Sequence, residues 1–184
     1  MRRPWIPLLA ALVVAGACSS GAGSDAAEPA PEVGRIVELP RSEEGEPIPL
    51  EPAGVLVNKY DLDQGWCFNQ YTAFDESGVT AEETRVVDCT EPHESEVYLQ
   101  LVYPGAAGAP YPGEDEIVSW SERECYNAFE GFVGLQYELS VLEIGTLQPT
   151  LETWTGAGLH REVTCFVYSY DGNALQGQMR STGL

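Results

Sequence analysis

The side chains able to do chemistry in this chain are few: five cysteines, two histidines, one lysine (Lys59), and 29 Asp and Glu against nine Lys and Arg. Any histidine-dependent triad or metal site must draw on His93 or His160. His93 stands near Glu94 and Glu96, a grouping that could hold a metal or move protons. The plainer reading is preferred: a turn after Cys89 in which the imidazole bonds to backbone. His160, beside Arg161, reads as an exposed loop residue. Asp61-Leu62-Asp63-Gln64-Gly65 opens like a calcium loop, but the downstream glutamate is missing and Cys67 follows almost at once, so a turn leading into a strand is preferred. No nucleophile elbow, phosphate-cradling Gly-rich loop with lysine, or His-Glu-x-x-His occurs. The expectation is therefore no catalytic residue, no cofactor, no resident metal and no enzymatic activity.

Cysteine count gives a firmer signal. Five is odd, and an exported protein must account for the leftover thiol. Met1-Arg2-Arg3 is a basic start, Trp5 to Val14 an apolar run, and Ala15-Gly16-Ala17 a small-residue stretch before Cys18, which together read as a secretion signal over residues 1–17. The apolar run is far short of the ~20 residues a permanent membrane helix needs. Val14-Ala15-Gly16-Ala17-Cys18 resembles the bacterial lipobox, in which the thiol at the new amino terminus takes a diacylglyceryl group and the protein comes to carry palmitate-type chains. An ordinary Ala-x-Ala cleavage site that happens to precede Cys18 is the alternative. Lipidation is favoured because it removes the odd cysteine, and because two or three acyl chains, at ~0.8 kcal/mol per buried methylene, anchor durably.

With Cys18 set aside, Cys67, Cys89, Cys125 and Cys165 remain as an even set. Spacing alone leaves three pairings open. Location favours Cys67 with Cys89, on two strands of a hairpin, and Cys125 with Cys165, joining a helix to a strand beneath it. A zinc site is the rival, but no Cys-x-x-Cys pair is present and export favours oxidation.

The elements that must position these residues follow from pattern. Residues 18–51, rich in Ser, Gly, Ala, Pro and Glu, cannot bury enough apolar surface to offset ordering and read as an acidic disordered tether. A chain of about 35 residues reaches at most ~120 Å. Within it, Arg35 to Leu39 could pair weakly, though a solvated kink is preferred. The folded domain is placed at 52–184. Strands are expected at Trp66–Tyr71, Thr84–Cys89, Glu96–Tyr103, Glu138–Ile144 and Glu162–Tyr170, with a short last run from Ala174 to Arg180. Glu114 to Val133 reads as an amphipathic helix with acids at its start, Gly134 as its stop, and Val118, Cys125, Phe129, Phe132 and Val133 on one stripe. The class is α+β: a mostly antiparallel sheet, one main helix and two disulfides.

Charge bounds the partners. The formal charge is −20, and loss of Arg2 and Arg3 with the leader leaves seven Lys and Arg against 29 Asp and Glu, about −22. Such a field repels nucleic acid and anionic headgroups, so membrane association rests on the lipid and protein partners should be basic.

Gly65-Trp66-Cys67-Phe68, Val86-Val87-Asp88-Cys89-Thr90-Glu91-Pro92-His93-Glu94-Ser95-Glu96-Val97 and Tyr111-Pro112-Gly113, followed by Cys125-Tyr126-Asn127-Ala128-Phe129, Phe132-Val133-Gly134, Pro149, Trp154 and Cys165, resemble the septum formation domain of actinobacterial envelope proteins. The most specific piece is Cys-x-x-Pro-His followed by Glu-Val. Trp66 stands where the family usually has an acidic residue, and Gly156 to Arg161 is longer than its usual turn. The resemblance implies an extracytoplasmic domain of membrane-anchored proteins associated with septation; it implies no enzymatic activity or ligand.

The sequence thus predicts a lipoprotein on the outer face of the cytoplasmic membrane, serving as a binding or scaffold module for an envelope or division protein. A small-ligand-binding or sensor domain is the alternative, and an enzyme acting on the wall the third. Aromatic residues with polar tips suit recognition, and the loop Pro104 to Gly113 with Trp154 is the first place to look. Trp154, Tyr111, His93 and Glu96 are the candidate binding residues.

Overall fold

A computed structural model describes residues 33–74, 80–106, 108–157 and 159–184. Cys18 and the signal sequence lie outside the described residues. Ten elements follow in order: β1 (Arg35–Val37), β2 (Val55–Val57), β3 (Cys67–Phe74), β4 (Thr80–Val87), β5 (Ser95–Val102), α1 (Glu114–Val133), β6 (Leu142–Leu147), α2 (Leu151–Thr155), β7 (Glu162–Ser169) and β8 (Ala174–Gln176). Six strands form an antiparallel sheet in the order β2-β4-β3-β5-β7-β6, while β1 and β8 pair antiparallel as a separate ribbon. The expected class is observed.

Alternation along β7 explains how one sheet serves two cores. Val163, Cys165 and Val167 are fully buried and face α1, where they pack with Phe129, Phe132, Val133 and Leu142. Phe166 points to the other face and joins Leu62, Phe68 and Val97, with Trp66 and Leu147 packed around them. A β-bulge in β5 between Val97 and Leu99 turns both Tyr98 and Leu99 toward the helix-side core. The Tyr98 hydroxyl there donates to the Cys125 carbonyl at 2.7 Å, which satisfies its one polar atom.

Helix α1 has the expected bounds. Glu114, Asp115 and Glu116 occupy its first turn, where carboxylates offset the helix dipole. Gly134 closes it in a left-handed conformation, φ 85°, donating to the Glu130 carbonyl. The buried stripe is Ile117, Ser121, Cys125, Phe129, Phe132 and Val133. Ile117, and not Val118, therefore leads it; Val118 is half-buried at the stripe's edge.

Both expected disulfides are present: Cys67–Cys89 with Cα atoms 5.2 Å apart, and Cys125–Cys165 with Cα atoms 5.6 Å apart. The second ties α1 to β7. On the chain-entropy account each contributes about 3–4 kcal/mol. Cys89 lies two residues past the end of β4, in a turn, instead of on the strand.

Two other expectations are corrected. The segment read as a strand from Glu138 begins as a 3-10 turn at Tyr137–Leu139, and pairing with β7 starts only at Leu142. Ser140 interposes: its hydroxyl donates to the Leu184 carbonyl and accepts from Leu142 N–H. The second correction concerns the tether. Residues 33–51 are not free chain, because β1 pairs with β8 through Arg35↔Gln176, Ile36↔Leu175 and Val37↔Ala174, and Arg41 bridges to Pro47. Ile36 packs on the helix-side core, and this apolar contact offsets the ordering that composition alone disfavours.

Candidate functional site

Three places concentrate the chemistry. The first is a buried node at the start of β3 and β5. Register places Cys67 opposite Glu96. His93, just ahead of β5, exchanges backbone bonds with Leu175, donating at 2.9 Å and accepting at 2.7 Å. A ring nitrogen of His93, a carboxylate oxygen of Glu96 and Cys67 Sγ all lie within 4.8 Å of one another. His93 and Glu96 are 0 % and 1 % exposed. His93 Nδ1 faces the Glu91 carbonyl at 2.8 Å, so that nitrogen carries the proton, and Nε2 is buried without a partner. Glu96 Oε2 accepts from Met179 N–H at 2.6 Å.

Electrostatics follow from burial. Loss of solvent pushes the Glu96 carboxyl up to about 7, with the Met179 bond and the Arg180 charge acting the other way. The same desolvation lowers His93, opposed by its bond to Glu91. Burial thus favours the uncharged form of both groups. The node does not fit a structural zinc ion: the Cys67 sulfur is in a disulfide and is no thiolate, which leaves one imidazole and one carboxyl where such a site draws on four donors. The expected backbone bond of His93 is seen, but its burial against Glu96 and Cys67 goes beyond a surface turn.

The second place is the aromatic corner around Trp154. Trp154 is 2 % exposed, and its Nε1 donates to the Ala109 carbonyl at 3.0 Å. The Arg161 guanidinium lies 3.9 Å from the ring centroid and donates to the same carbonyl. Tyr103 and Tyr111 meet the indole edge-on at 5.8 and 5.7 Å. This corrects the reading of Trp154 as a contact residue: it pins the loop after β5 from inside. Tyr111 stays half-buried on the rim of a depression of about 500 Å³ shared with Tyr60 and Gln148. His160 packs on the Tyr60 ring at 5.4 Å instead of standing free.

The third place was not singled out in the sequence. On the sheet face away from α1 lies an open groove of about 550 Å³. Phe166 and Tyr168, two apart on β7, form its floor with ring centroids 6.2 Å apart. Gly145 opposite Phe166 leaves room for the ring, since a Cβ there would lie 2.2 Å from it. Gln70, Glu94, Thr146 and Asn173 supply polar walls. Glu94 is the one charged residue among them; burial raises its pKa, while the Gln70 N–H it accepts at 2.9 Å acts the other way. Arg41 and Leu39 N–H both donate to Asn173 Oδ1, which sets the corrected segment 33–51 against one end. The signal in the sequence was Thr164, Phe166 and Tyr168, the second set of alternating residues on β7.

Among the described residues no helix is long and apolar enough to cross a membrane. Neither curated proteins nor solved structures give a match. The family model described as "Septum formation" matches residues 64–183, which takes in all four paired cysteines, the node and the groove. With more than half of its length so matched, the chain belongs to the septum formation family.

Proposed function

We propose that this protein is an extracytoplasmic binding module that serves septation, held on the outer face of the cytoplasmic membrane by a lipid on Cys18. The single observation that carries the binding role is the open groove over Phe166 and Tyr168. It presents apolar area beside hydrogen-bonding groups of both kinds on a rigid, doubly stapled sheet, which lowers the ordering cost of recognition. Its occupant is an extended, uncharged or basic segment of an envelope or division protein. Two features support that choice: Glu94 is the only charged residue of the lining among the described residues, and the whole chain carries −20.

The reading is tested in living cells with a photocrosslinking side chain at position 168 and, as control, at Tyr126, which is 46 % exposed on α1. One discrete partner should be captured from 168 and not from 126. Capture should fall when Cys18→Ser detaches the domain from the membrane. Equal capture at the two positions, or none at 168, overturns the groove as the docking surface.

A further inference from the structure

The two disulfides sit in different chemical surroundings. Cys125 and Cys165 are both fully buried, between α1 and β7. Cys67 is fully buried as well, but its partner Cys89 is half-buried in a turn. Among the described residues Cys67 is the cysteine grouped with a histidine and a carboxyl: His93 and Glu96 place a ring nitrogen and a carboxylate oxygen within 4.8 Å of its sulfur, and His93 Nε2 is committed to nothing else. A structural bridge has no use for two buried titratable groups at one sulfur, and burying them is costly.

We propose that Cys67–Cys89 is an exchangeable disulfide, in which Cys89 meets an outside thiol and Cys67 is the buried partner whose proton is handled by Glu96 and His93. In the opening step a dithiol, as its thiolate, attacks Cys89 Sγ. A new S–S bond forms to Cys89, the Cys67–Cys89 bond breaks, and Cys67 leaves with the electron pair. The Glu96 carboxyl, directly or through His93 Nε2, gives that thiolate a proton, because an unpaired anion in an apolar interior is a poor leaving group. The second thiol of the dithiol then attacks the mixed disulfide, so the dithiol is oxidised and the protein bridge becomes two thiols. The reverse sequence uses Glu96 and His93 as bases to raise the Cys67 thiolate.

Three elements face this reaction centre. β3 brings Cys67, β5 and its leading turn bring Glu96 and His93, and the carboxy-terminal segment brings Met179 N–H and the Arg180 charge. Among the described residues no histidine or carboxyl is grouped in this way with Cys125 or Cys165, and that bridge is therefore the internal control.

The test uses the full chain, folded and without denaturant, treated with dithiothreitol over pH 6 to 9 and quenched with alkylating reagent for peptide mass analysis. Cys67–Cys89 should open at least about tenfold faster than Cys125–Cys165. Its rate per reductant thiolate should fall as pH rises through 7, where Glu96 gives up its proton. Glu96→Gln should slow opening by about tenfold and remove that pH step, and His93→Asn should slow it to a lesser degree. Simultaneous opening of both bridges, earlier opening of Cys125–Cys165, or a flat pH profile in the unaltered chain overturns the proposal. Those three readings need no variant, so a variant that fails to fold leaves the test intact.

Discussion

A carboxyl group with 1 % exposure keeps its proton to higher pH than a solvated one, and that ties stability to Glu96. Its folded pKa of about 7 lies above the ordinary 4.5, so its contribution is fully present below 4.5 and is lost as pH rises through 7. His93 is shifted the opposite way: its contribution is present above 6.5 and is lost as pH falls through its lowered folded value. Thermal melts from pH 4.5 to 7.5 should show the unaltered protein losing Glu96's contribution as pH rises, and Glu96→Gln losing markedly less over the same interval. A second residue-scale expectation concerns Trp154. With its ring enclosed and its N–H bonded to Ala109, Trp154→Ala should cost about 3–5 kcal/mol in urea unfolding. Hydrogen exchange should then quicken in the loop after β5. Both residues stood out in the sequence for their chemistry. Their burial did not, because it comes in large part from Met179 over Glu96 and Ala109 over Trp154, each far off along the chain.

At the scale of elements, α1 was legible because its whole signal is local: acids at the start, six inward residues and a terminal glycine within one window. The strands β5 and β7 were legible for the same reason. β1 was not, since three residues in a polar, proline-rich stretch pair with a strand some 140 positions later, and such a pairing leaves no local pattern. Gly34 reports how close that docking is. A Cβ there would stand 2.2 Å from the Gln178 carbonyl oxygen and 2.4 Å from Met179 Cε. Gly34→Ala should thus push β1 away from the end of β8 and cost about 1–3 kcal/mol, read by denaturant unfolding. The same substitution at Gly45, whose Cβ would meet nothing, tests the left-handed backbone alone and serves as comparison. Unchanged stability in Gly34→Ala would show that the ribbon adds nothing to the fold. The groove, too, escaped the sequence: it is shared by β3, β5, β6 and β7, and only sheet order brings Gln70, Glu94 and Gly145 beside Phe166.

Across the whole molecule, the sheet separates two tasks. One face is closed by α1 and a bridge with both sulfurs fully enclosed; the other holds the open groove, and the bridge to the half-buried Cys89 lies at the sheet's end. The ribbon of β1 and β8 lies outside the six-stranded sheet but sets Ile36 and Leu175 into the helix-side core. A pull applied ahead of Val33 would be borne first by three ladder pairs and by the bond from Gly34 to Gln178. Behind them lie the Leu175–His93 exchange and the Met179 contact on Glu96, so tension would be delivered to the strap lying over the buried acid. The amino-terminal connection is thereby a load path, and it ends at His93 and Glu96, beside the Cys67 sulfur.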